Sequence, residues 1–155
     1  MLFSGIPFLY YFLPVTLILL AISPKWAKNA MLVFCSLVFY GWSMPSYVLL
    51  MLTAIAAGYV GAVLIQWFRA RKNTNGARVV LVLTLSVLTG MLAWFKYADF
   101  AIENINALGA ELPLVHVALP IGISFYTFQV IGYVVDVWRA DVPAQKNPID
   151  LAAFV

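Results

Sequence analysis

Asn29–Phe68 reads NAMLVFCSLVFYGWSMPSYVLLMLTAIAAGYVGAVLIQWF, 40 residues without an Asp, Glu, Lys or Arg. One helix of that length would measure about 60 Å, twice the thickness of a bilayer core. The run must therefore fold as two spans. The break falls at Gly41-Trp42-Ser43-Met44-Pro45-Ser46, where Gly and Pro punctuate the chain and Tyr40, Trp42 and Tyr47 supply aromatics suited to a membrane interface. The two spans are then about 29–43 and 46–68.

The rest of the chain repeats this character. Of 155 residues, 65% are hydrophobic and 10% charged, and residues 1–24, 79–95 and 112–135 also carry no Asp, Glu, Lys or Arg. A soluble domain of this length would have too little polar surface to cover itself. The composition excludes a soluble enzyme, a disordered tail and a disulfide scaffold. Three further spans follow, about 6–23, 79–95 and 113–135. Between the last two, Asp99, Glu103 and Glu111 alternate with Phe100, Ile102, Ile105 and Leu108, a pattern suited to a surface helix over about 98–111. The expected fold is an all-α, polytopic transmembrane bundle of about five spans. Ala21-Ile22-Ser23 has the look of a signal cleavage site, but no basic residue precedes the apolar core, so the first segment is expected to be retained. Ile149–Val155 reads as the start of another element.

The net charge of +3 is explained by topology rather than by a nucleic-acid partner. With the N-terminus outside, Lys25, Lys28, Arg69, Arg71, Lys72, Arg78, Arg139 and Lys146 face the cytoplasm and only Lys96 lies outside. The expected surroundings are a lipid bilayer. Cys35, the single cysteine, lies within an apolar span and cannot form an internal disulfide.

No phosphate loop, dinucleotide fingerprint, zinc-ligand spacing or nucleophile elbow is present. Ala54, Ala57, Gly58, Gly61 and Ala62 share one helix face, the composition of close helix packing in lipid. In the last span, Gly122, Phe125, Tyr126, Gln129, Gly132, Tyr133 and Asp136 fall within about 120° of arc. This small, aromatic and polar face is expected to point into protein or a water-filled cavity. It serves either helix packing, with Gln129 bonded across the bundle, or the wall of a substrate channel. Gly122, Phe125, Gln129 and Gly132 are the wall candidates. His116 could act as a base in principle, but no partner with a readable role accompanies it.

Several stretches then occur in a telling order: Met1-Leu2-Phe3-Ser4, Phe39-Tyr40-Gly41-Trp42, Trp94-Phe95-Lys96-Tyr97-Ala98-Asp99-Phe100, Leu119-Pro120-Ile121-Gly122-Ile123-Ser124-Phe125-Tyr126-Thr127-Phe128-Gln129 and Tyr133-Val134-Val135-Asp136-Val137-Trp138-Arg139. Together they resemble the N-terminal part of the bacterial membrane-bound O-acyltransferases (MBOAT), in the branch concerned with alginate acetylation and teichoic acid D-alanylation. The resemblance implies a polytopic inner-membrane enzyme with a central funnel. It would move an acyl group from a cytoplasmic donor, acetyl-coenzyme A or another acyl donor, toward exopolysaccharide hydroxyls. Periplasmic or membrane polysaccharide-acetylation proteins would be its partners.

The resemblance also places the family's essential histidine in a later region. His116 does not match that motif, so no catalytic residue is assigned, and the chain by itself is expected to be inactive. Two other readings stay open. One is a small structural subunit that docks on a polytopic partner through the stripe at 54–62 and the polar face of the last span. The other is a small-solute carrier, which the near absence of mid-span charge disfavours.

Overall fold

The computed structural model describes residues 8–24, 27–43, 45–107, 113 and 122–155. Among them the regular structure is entirely helical: a π-helical turn Phe8–Phe12, then α1 (Leu13–Ile22), α2 (Lys28–Ser43), α3 (Pro45–Ala70), α4 (Thr74–Ala107), α5 (Ile123–Arg139) and α6 (Pro148–Phe154). Of these, α3 and α4 are long and apolar enough to cross a membrane. The described parts of Met1–Ile55 and Gln145–Val155 form one packed unit, and Ala56–Ala144 another.

In the first unit, Pro14 sits at the start of α1, directly after the π-helical turn. Proline removes one helical hydrogen bond and crowds the preceding turn, and a π turn widens the backbone where that crowding falls. The helix ends at Ser23, whose hydroxyl and backbone N–H both donate to the Leu19 carbonyl, at 2.6 and 3.0 Å. The long uncharged run breaks where Gly and Pro predict: α2 ends at Ser43 and α3 opens on Pro45, a position where a missing N–H removes no helical bond. Asn147 caps α6 by accepting from the Ile149 N–H, with Pro148 in its first turn. The helix α6 packs on α2, where Asn29 Nδ2 donates to Asp150 Oδ1 at 2.9 Å and Leu151 is buried.

In the second unit, the small residues of α3 do bring backbones together. A Cβ on Gly58 would lie 2.2 Å from Val130 Cγ1, and one on Gly61 would lie 2.4 Å from Thr84 Oγ1. Those glycines therefore seat α5 and α4 against α3. On α4, Ala77, Leu81, Thr84, Leu88 and Leu92 are buried at three- and four-residue spacing. Thr84 of this stripe meets Gly61 of α3, and α4 also packs on α5, whose buried set is Ile123, Tyr126, Thr127, Val130, Tyr133, Val134 and Val137.

Two expectations about boundaries need correction. The helix α4 runs without interruption from Thr74 to Ala107, so 98–107 continue it rather than forming a separate surface helix. Residues 108–111 of that expected helix lie outside the described residues. No Gly or Pro occurs between Met91 and Ala107 to end the helix. An aromatic cluster such as Trp94–Tyr97 signals a depth in a membrane rather than the end of a helix, and a helix can run past that depth. In addition, α5 begins at Ile123 and extends to Arg139, beyond the expected end near 135. The part of the expected span at 114–121 lies outside the described residues.

Candidate functional site

The wall candidates all belong to α5 or its first cap. Gly122 precedes the helix in a left-handed conformation, φ 77°, and its carbonyl accepts from the Tyr126 N–H at 3.0 Å. Only glycine adopts that conformation without strain. Phe125 is 70% exposed, Gln129 is half-buried, and a Cβ on Gly132 or Gly122 would meet nothing within 4 Å. Tyr126 and Tyr133, at one edge of the same arc, are buried.

The structure therefore separates two faces of α5. The buried face is a ridge of Ile123, Thr127, Val130, Val134 and Val137, centred about 120° around the helix from the small and polar face. Apolar side chains win the contact with α3 and α4 because they carry more area out of solvent and leave fewer polar groups unpaired. The polar face stays open in the second unit, and the two tyrosines lie on the seam between faces. On the buried side, Thr127 is fully enclosed and its hydroxyl has no hydrogen-bond partner among the described residues. His116 lies outside the described residues. Asp136 is exposed in the last turn of α5, where its carbonyl accepts from the Asp141 N–H at 3.0 Å.

At one end of the second unit, a cleft of about 480 Å³ is lined by Arg69, Thr74, Arg78, Trp138, Arg139 and Asp141, with Ala77 at its base. Two similar helix ends shape it. Asn73 N–H donates to the Phe68 carbonyl and Asp141 N–H to the Asp136 carbonyl, each at 3.0 Å, with Lys72 (φ 57°) and Ala140 (φ 67°) left-handed between them. These are Schellman endings made without glycine. Arg69 donates to the Trp138 carbonyl, which ties the end of α3 to the end of α5. Arg139 pairs with Asp141 at 3.2 Å, while Arg71 turns away and lies 3.7 Å over the Trp67 ring.

Sequence reasoning read these arginines as topology markers and missed their convergence. Three successive helix ends, the end of α3, the start of α4 and the end of α5, each carry a basic residue, which was a readable sign that they could meet. Which of them meet is decided by helix packing.

In the first unit, the π-helical turn, α1 and α2 border an almost wholly apolar groove of about 530 Å³. Cys35 is buried on it, and the Phe12 and Phe39 rings stand 5.1 Å apart beside it.

The whole chain is 40% identical to the probable alginate O-acetylase AlgI of Pseudomonas syringae pv. tomato and 39% identical to that of Pseudomonas aeruginosa. Over 90% of its length it is 32% identical to the peptidoglycan O-acetyltransferase of Helicobacter pylori. The chain spans 30% of the length of each of the two Pseudomonas proteins and 27% of the Helicobacter protein. No family model and no solved structure matches it.

Proposed function

We propose that this chain, a relative of the O-acetylases along its full length and similar to the N-terminal part of the membrane-bound O-acyltransferases, forms the scaffold and one wall of an acetyl-transfer channel. The reaction is transfer of an acetyl group, from acetyl-coenzyme A or another acyl donor, toward the hydroxyls of an alginate-like exopolysaccharide. The observation that carries the reading is the whole-length match to proteins named alginate O-acetylase. The open face of α5 is the structural counterpart. Gly122 and Gly132 leave room and Phe125 offers an aromatic surface, with the half-buried Gln129 amide beside them. Such a face positions a substrate, and positioning alone accounts for a large share of many rate enhancements. Acyl transfer also needs a base close to the acceptor hydroxyl. We assign no such residue within this chain.

The reading includes a multi-pass topology in the bacterial inner membrane with about five spans and the N-terminus outside. The clustering of Arg69, Arg78 and Arg139 at one end of the second unit supports it, because positive charge gathers on the cytoplasmic side. The partners are periplasmic or membrane proteins that carry acetyl groups onward to the polysaccharide.

Exchanging this chain for the matching stretch of the Pseudomonas aeruginosa protein tests the reading. Alginate from the exchange strain is expected to keep most of its O-acetyl groups. A stably produced, membrane-inserted exchange protein that leaves alginate unacetylated would refute it.

A further inference from the structure

We infer that the cleft between the ends of α3 and α5 and the start of α4 binds a phosphate group. The inference is independent of acetyl transfer. Three guanidinium groups from three helices line one cleft, opposed by a single carboxylate. Its volume of about 480 Å³ falls within the roughly 300–1,000 Å³ of small-ligand sites. Asp141 is already engaged by Arg139. Among the described residues Arg78 makes no ion pair. Arg69 is held in place by the Trp138 carbonyl, which leaves the rest of its guanidinium fork available to an anion.

The start of α4 adds to this charge. That helix has no acidic residue in its first turn. Asn73 satisfies the Gly76 and Ala77 N–H groups, at 2.9 and 3.2 Å, whereas those of Thr74 and Asn75 have no acceptor among the described residues. The positive end of a 34-residue helix thus opens among arginines, an arrangement that repels itself until an anion enters. Arginine forks match phosphate oxygens in pairs.

The cleft also lies where two apolar helices, α3 and α4, meet at their polar ends, with Trp138 on its rim. Basic pockets at such positions suit the phosphodiester of an anionic lipid, and a soluble phosphate compound offers the same oxygens. The shared ligand is a phosphate with at least one negative charge, from either source.

The test is native mass spectrometry of the detergent-solubilised full chain, with phosphatidylglycerol, with phosphatidylcholine, and with inorganic pyrophosphate. Arg78→Gln is the main variant, because its side chain makes no ion pair among the described residues. Arg71→Gln, outside the cleft, is the control, and circular dichroism verifies that both variants are folded. Phosphatidylglycerol retained in preference to phosphatidylcholine, and reduced about fivefold by Arg78→Gln but unchanged by Arg71→Gln, supports a lipid headgroup site. Pyrophosphate binding with the same dependence supports a soluble phosphate site. The inference is overturned if neither anion binds, or if binding is indifferent to Arg78→Gln.

Discussion

At the scale of single residues, the second unit is held by close approach. Gly58 lies so near Val130 that any added carbon must push the Val130 side chain aside. Gly58→Val is therefore expected to destabilise the chain by about 1–3 kcal/mol, the range for overpacking a filled interface. Equilibrium unfolding in mixed micelles would measure it. Thr127 is expected to respond in the opposite sense. Its hydroxyl is enclosed without a partner among the described residues, so the near-isosteric Thr127→Val removes an uncompensated polar group and is expected to stabilise by about 1 kcal/mol. Ala140 has a left-handed backbone without being glycine, and Ala140→Gly should relieve about 1 kcal/mol in the same assay. The small residues of α3 were legible in the sequence, since spacing alone puts them on one face. Thr127 was not, because whether a hydroxyl finds a partner depends on which neighbours surround it.

At the scale of elements, the break between α2 and α3 could be read directly, because Pro45 and Gly41 act locally and the uncharged run was too long for one helix. The course of α4 could not be read from the Trp94–Tyr97 cluster. Interface aromatics report where a bilayer ends, while a helix ends only where the backbone loses its bonds. Spin labels at positions 86 and 104, on the same side of α4, should be separated by about 27 Å along a continuous helix. A bend at Phe95 onto a membrane surface would bring them to about 19 Å. The α5 helix gives a different lesson. Its polar and small residues share one arc of the helix, yet the contact with α3 and α4 goes to the β-branched ridge beside it. Periodicity identifies faces, and the competition for burial among apolar side chains decides which one packs inward.

At the scale of the whole molecule, composition and charge placement carry most of the reading. A chain with 65% hydrophobic residues and nine cations gathered at the ends of apolar runs is built for a bilayer. The whole-length match to the alginate O-acetylases agrees with the motifs that first pointed there. The convergence of Arg69, Arg78 and Arg139 is a property of the packed unit, and no local stretch of sequence contains it. The account holds that α5 has two separate tasks: its ridge builds the second unit, and its open face lines the channel. The most direct measurement introduces Gly132→Leu and Gln129→Ala into the exchanged alginate O-acetylase, beside Gly90→Leu, an equally open glycine on α4. The account predicts normal amounts of membrane protein for all three. It also predicts alginate O-acetylation reduced by about tenfold or more for the α5 variants, the order expected when substrate positioning is lost, and unchanged for Gly90→Leu. Full acetylation with both α5 variants would contradict the channel-wall assignment.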